Sequence, residues 1–203
     1  SSPAPSALRV HRRSLALLGS FLPLSAEAEV VKGAERQVLL KNGLSFPKAS
    51  FGLQVYDDET AERLTLQAIE AGYRNFFASV LAGNQRGFAR AVQKSGVPRK
   101  EFFICGSVLS NLAQDFDDAY TSTKEGCDKN LEAFAEGGIT ELDMILLDYP
   151  AKDCETIRGQ WKAFEEMKAT KKTKSLAVSN FSPEQLDCIL ADPDATKPVL
   201  NQL

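Results

Sequence analysis

Histidine is almost missing from this chain: His11 is the only one among 203 residues. It falls in an N-terminal stretch that reads as a removable leader, so the mature protein is expected to hold none. That excludes Ser-His and Cys-His nucleophile pairs, histidine acid/base work and histidine-ligated metal. Cysteine is scarce and scattered: Cys105, Cys127, Cys154 and Cys188 form no CxxC pair, so no metal site is expected. Buried thiols are the default for them, and an oxidising compartment would permit a disulfide. Positive charge is not in excess either. A net charge of −3 provides no basic face for nucleic acid, and no nucleic-acid partner is expected. Long apolar runs are lacking as well, the most apolar stretch, residues 15–24, being too short for a stable transmembrane helix. No internal repeat or low-complexity tract is visible beyond the leader.

What is present begins with that leader. Residues 1–25 contain no Asp or Glu and are rich in Ser and Ala. Arg12-Arg13 precedes the apolar run, and Ala26-Glu27-Ala28 follows it. A basic segment, an apolar segment and an A-x-A site in that order are the signature of an export peptide, and the paired arginines suggest the twin-arginine route. The Ser-rich, acid-free lead-in that opens without Met resembles a bipartite plastid address. The expected division is a targeting leader at 1–28 and a globular domain at 29–203. The expected compartment is the chloroplast thylakoid lumen, with the bacterial periplasm second. The competing reading is a polar tail with a chance Leu-rich patch.

Downstream, turn signals alternate with strand-like and helix-like runs. Residues 38–40 and 44–46 flank Asn42-Gly43, a pair that tolerates positive φ, and so predict a hairpin. Asp57, Asp58 and Glu59 provide acceptors and negative charge for a helix start, with Ala61, Leu64, Ala68 and Ile69 on one face and Gly72 as the stop. Further strands are predicted at 75–79, 101–108, 142–147, 174–178 and 199–201. Helices are predicted at 84–94, along a stripe of Phe116, Tyr120, Cys127, Leu131 and Phe134, around Trp161, Phe164 and Met167, and at 183–190. This alternation predicts an α/β fold with a parallel sheet, but does not separate an open sheet from a barrel.

Specific motifs separate the two. GYRNFFASVLAGNQ at residues 72–85 resembles the second strand and loop of the aldo-keto reductase family, usually written GYRxxDTAxxYxNE. LKNGLSFPKASFGLQ resembles the family's hairpin and first strand, while VSNF at 178–181 and PVLNQ at 198–202 match further motifs in order. The resemblance covers roughly residues 38–203. It implies a (β/α)8 TIM-barrel type fold with an N-terminal β-hairpin. Such a barrel needs on the order of 250 residues, so truncation to about six β/α units is expected here.

The resemblance also implies where chemistry would sit. Members reduce a carbonyl with NADPH while a tyrosine, tuned by a lysine paired with an aspartate, gives the proton; a histidine orients the substrate. In this frame Phe77 stands at the aspartate position, Ala82 at the tyrosine, Ser107 at the lysine and Asp148 at the histidine. Phe77 and Ala82 have no proton to give, and an ionised Asp148 would sit beside developing negative charge. Catalytic residues are therefore expected to be absent. Asp148, Tyr149 and Tyr56 form the one conceivable surrogate set, against the simpler reading of Tyr149 as a packing aromatic.

Ser179, Asn180 and Gln202 match residues that hydrogen-bond the nicotinamide carboxamide, and are expected to be vestigial. No cofactor is expected, with NADPH the ligand if any binds. The overall expectation is a catalytically degenerate binding or structural subunit. Its expected partner is a protein covering exposed strand edges, a photosynthetic membrane complex being one candidate. The alternatives are an NADPH-dependent oxidoreductase with relocated catalytic groups and a small-ligand sensor. Lys168, Lys171, Lys172 and Lys174 read as a solvated loop, and Glu136-Gly137-Gly138 as either a tolerated insertion or a contact loop.

Overall fold

The Asn42-Gly43 turn closes a hairpin of β1 (Gln37–Leu39) and β2 (Ser45–Pro47), paired antiparallel from Gln37 opposite Pro47 to Leu39 opposite Ser45. Gly43 sits at φ 82°, where a Cβ would be strained, and the Asn42 carboxamide oxygen accepts from the Leu44 N–H at 3.2 Å. The computed structural model describes residues 36–203; the predicted leader and the start of the predicted domain lie outside the described residues.

The remaining strands are β3 (Ser50–Gly52), β4 (Asn75–Phe77), β5 (Phe103–Val108), β6 (Met144–Asp148), β7 (Leu176–Ser179) and β8 (Asn201–Gln202). They form one six-stranded sheet in sequential order, parallel throughout. Helices α1 (Asp58–Glu70), α2 (Gln85–Ser95), α3 (Phe116–Ala135), α4 (Cys154–Ala169) and α5 (Pro183–Leu190) make the crossovers. Sequential order with helical crossovers is the (β/α)-barrel winding, with β3 and β8 as the outer strands of the described sheet. Among the described residues, no helix is long and apolar enough to cross a membrane.

Burial follows the strand period of two. Ile104, Ile145, Leu147, Leu176 and Val178 face the helices and pack with Phe88, Phe134 and Phe164. Their alternates, Phe103, Cys105, Met144, Leu146 and Ala177, face the inside, where Leu40, Leu44 and Phe46 of the hairpin meet them. Phe46 stands edge-on to Phe103 at 5.1 Å, so the hairpin plugs one end of the sheet. Each fully buried Phe contributes about 1.5–3 kcal/mol by removal from water.

Several expectations shift on the folded chain. The stretch before β5 begins as a 3-10 turn at Arg99–Glu101. β6 starts at Met144 because Asp143 turns its carboxylate to the Ile104 N–H, Arg99 and Lys174, while Leu142 makes only an isolated bridge to Thr173. β7 accordingly starts at Leu176. The face that α3 buries is Ala119, Thr123, Cys127, Asn130, Ala133 and Phe134; Phe116, Tyr120 and Leu131 are only partly covered. Close approach explains the small residues: a Cβ on Gly126 would lie 2.4 Å from Val108 Cγ1, leaving no room for an aromatic stripe.

Glu136-Gly137-Gly138 is a docked junction. The Glu136 carboxylate pairs with Arg86 and Arg90, and a Cβ on Gly137 would lie 2.0 Å from the Ala89 carbonyl oxygen. The lysine cluster is not simply solvated, since Lys172 pairs with Asp128 and Lys174 with Asp143. The thiol default also fails for one pair. Cys154 and Cys188 are bonded as a disulfide, with Cα atoms 5.0 Å apart, because the first turn of α4 lies beside α5. Cys105 and Cys127 remain buried thiols.

Candidate functional site

Inward alternation carries each sequence-predicted position to the same end of the sheet. Phe103 and Cys105 point inside, so Ser107 does too; Met144 and Leu146 lead to Asp148, and Ala177 leads to Ser179. Phe77 ends β4 in the same interior cluster. In register, Asp148 lies opposite Ser179, and Ser179 opposite Gln202. Phe77, Ser107, Asp148, Ser179 and Gln202 therefore share the carboxyl-terminal mouth of the sheet, where sites of such barrels form. Ala82 lies in the loop between β4 and α2.

Ser107 is fully buried, and its hydroxyl stands 3.5 Å from the Val80 N–H. Asp148 is 6% exposed. Burial pushes its carboxyl above the ordinary aspartate range, against the lowering effect of hydrogen bonds from Ser179 and Asn180. The Asn180 side-chain amide donates to Asp148 Oδ1 at 3.0 Å and to Ser179 Oγ at 2.9 Å. Asn180 adopts φ 62° and Tyr149 φ 64°, so both strands leave the sheet through left-handed turns. The Tyr149 N–H is held by the Ser179 carbonyl at 3.2 Å, and its ring is turned outward.

Among the described residues, no hydrogen bond joins the side chains of Asp148, Tyr149 and Tyr56. Tyr56 packs against the core through its ring, and its carbonyl accepts from Asn84 at 2.8 Å. The tyrosine hydroxyl that meets a carboxylate is Tyr120, bonded to Glu166 at 2.9 Å on the outer helices, away from the mouth. Several cations are placed elsewhere: Arg99 and Lys174 serve Asp143 at the opposite end, and Arg90 serves Asp58, Glu62 and Glu136 on the helices.

Sequence reasoning missed two structural devices here. Asn84 is fully buried and staples the mouth, accepting from the Ser79 N–H at 2.9 Å while donating to the Leu53 and Tyr56 carbonyls. Gln160 is fully buried too; its side chain accepts from the Ala151 N–H at 3.0 Å and donates to Ser110 Oγ at 2.9 Å, with Ser110 in turn bonded to Thr123. Asn84 belongs to the GYRNFFASVLAGNQ motif, but its bonding partners appear only in the fold, and Gln160 carries no local signal, since a polar residue inside a helical sequence looks like its neighbours until a fold surrounds it.

A sequence model of the aldo/keto reductase family matches residues 44–203, nearly the whole described domain. The chain belongs to the aldo/keto reductase family. An aldo-keto reductase of Mycolicibacterium vanbaalenii is 33% identical over 166 residues, covering 82% of this chain and 56% of that protein. A glyoxal reductase of Bacillus subtilis is 31% identical over 169 residues, again 82% of this chain and 56% of the relative. The crystal structure of an aldo/keto reductase from Brucella melitensis superposes with a TM-score of 0.72 at 26% identity, over 81% of this chain and 61% of that one. This chain thus spans a little over half the length of these relatives.

Members of this family typically use NADP(H). The described donors do not fit that requirement: the Asn180 amide is already committed to Asp148 and Ser179, and Asp148 places an acceptor beside it.

Proposed function

We propose that this aldo/keto reductase is a non-catalytic member acting as a binding or structural subunit, exported to the thylakoid lumen. One observation carries the reading. The inner strand ends hold Phe77, Ser107 and Asp148, and the loop holds Ala82, a set with no cation to tune a proton donor. A buried carboxylate facing the mouth opposes charge growth on a carbonyl oxygen, where catalysis requires donors. The Cys154–Cys188 disulfide supports an oxidising compartment. In this reading the barrel recognises a protein, and a photosynthetic membrane complex is a candidate to hold it.

The test is activity of the natively purified protein with NADPH and glyoxal, the substrate in the name of the Bacillus relative. No turnover above the uncatalysed rate is expected. A rate abolished by Asp148→Ala or Tyr149→Phe would establish an oxidoreductase with relocated groups and overturn the proposal. That second reading is favoured by Ser179, Asn180 and Gln202 standing side by side at adjacent strand ends.

A further inference from the structure

Exposed apolar side chains are distributed unevenly over the strand-to-helix loops. Val55 in the β3–α1 loop is 81% exposed, Leu81 in the β4–α2 loop 56%, Leu112 in the β5–α3 loop 82%, and Tyr149 in the β6–α4 loop 43%. Leu109 joins Leu112 in its loop at 37%. These four loops leave four neighbouring strands of a parallel sheet, so all of them stand at the same mouth. At about 4.8 Å between strands the row is on the order of 15 Å long, the length of a three-turn helix.

The row is built rigidly. Ser110, between Leu109 and Leu112, is pinned by Thr123 at 2.6 Å and by Gln160 at 2.9 Å, and Gln160 also fixes Ala151 beyond Tyr149. The buried network anchors these loops from below and leaves the leucines turned outward, so an incoming ligand meets a preformed surface. Leu109, Leu112 and Ala113 also line a hollow of about 340 Å³ together with Asp118.

Charge identifies the occupant. Parallel winding brings every helix N-terminus to this end, and the exposed acids Asp57, Glu59, Asp117, Asp118 and Glu155 ring it. The cations there are Lys152 and Arg86, and Arg86 is already paired with Glu132 and Glu136. An apolar row inside an acidic rim repels a polyanionic dinucleotide and suits a ligand that is apolar on one side and basic at its edges. We propose that the mouth binds a basic amphipathic segment of a partner protein, with apolar side chains on Leu109 and Leu112 and Lys or Arg against Asp118. The proposal names the partner chemistry of the binding role proposed above, and rests on that role.

The test titrates the natively purified protein with a fluorescent amphipathic Leu/Lys peptide of about 12 residues, three to four helical turns, and with a Leu/Glu counterpart. Saturable one-to-one binding of the Leu/Lys peptide is expected, with none of the Leu/Glu peptide. Leu109→Ser with Leu112→Ser, both on the surface, should weaken it about tenfold or more, and Asp118→Lys several-fold, with unchanged circular dichroism. Equal binding of both peptides, or binding indifferent to these substitutions, overturns the proposal. So does self-association that Leu109→Ser with Leu112→Ser abolishes while the Leu/Lys peptide fails to bind, since the occupant would then be a second copy. Glyoxal turnover measured on the same preparation separates the two ideas: turnover removes the non-catalytic reading, whereas a silent peptide titration without turnover removes only the partner chemistry.

Discussion

Asn180 and Asp148 are joined across β7 and β6 by a hydrogen bond of 3.0 Å, amide to carboxylate. The bond links the position expected to recognise a cofactor amide to the position expected to orient a substrate. It stabilises a carboxylate that burial otherwise disfavours.

Asp148→Asn follows from that balance. Burial raises the folded-state carboxyl above the ordinary aspartate value, so ionisation costs stability as pH rises from that ordinary value through the folded one, and the cost is complete above it. The variant keeps an oxygen to accept from Asn180 and has no charge to bury. Its Tm is expected to exceed that of the parent at neutral pH, with the gap closing as pH falls toward about 4. Calorimetry across that range checks it, and a gap independent of pH would contradict it.

The Cys154–Cys188 bond closes a separation of 34 residues between α4 and α5. Loop-closure entropy for that span is worth about 3–4 kcal/mol. Reduction, or Cys154→Ser, should lower unfolding stability by up to that amount in urea titrations. An unchanged midpoint under reducing conditions would mean that the bond does not form in the native protein.

Cys105 and Cys127 should be silent toward thiol reagents in the folded state. Burial pushes the Cys105 thiol well up and holds Cys127 at about 12, so almost no thiolate exists near neutral pH. Native protein should release no chromophore from an aromatic disulfide reagent, and denatured protein should react at both thiols. Rapid native labelling would reveal opening of the sheet–helix layer.

Asp143 is 4% exposed, and its carboxylate serves the Ile104 N–H, Arg99 and Lys174 together. Asp143→Ala leaves those groups without their acceptor and should cost about 3 kcal/mol, at the low end for a broken buried pair because both cations are partly solvated. Gly137→Ala drives a Cβ to within 2.0 Å of the Ala89 carbonyl oxygen and should cost about 1–3 kcal/mol. Chemical denaturation measures both, and a neutral result for Gly137→Ala would mean that the junction between α2 and α3 yields without strain.

Much of the fold was legible in local sequence. The Asn42-Gly43 hairpin, α1 stopped before Gly72 and α5 across Pro183–Leu190 follow from turn chemistry, caps and periodicity, signals carried by a few adjacent residues. Ser182 illustrates the point: it forms a capping box with Gln185 and precedes Pro183, so one short stretch determines where α5 begins. The boundaries of β6 and β7 were not legible, because Asp143 gains its partners only when Ile104, Arg99 and Lys174 arrive from other elements.

The candidate site divides in the same way. By itself the sequence determined which residues occupy the mouth, because family motifs place Phe77, Ala82, Ser107, Asp148, Ser179, Asn180 and Gln202 one by one, and strand alternation turns the strand residues among them inward. It also determined the acidic start of α1, where Asp57, Asp58 and Glu59 supply acceptors and negative charge to the helix N-terminus. Only the tertiary structure decided that Asn180 bonds to Asp148, that Cys154 meets Cys188, and that Val55, Leu81, Leu109, Leu112 and Tyr149 face solvent around one opening. Those relations join residues from separate β/α units, and their distances are set by the order and curvature of the sheet, which no local signal encodes.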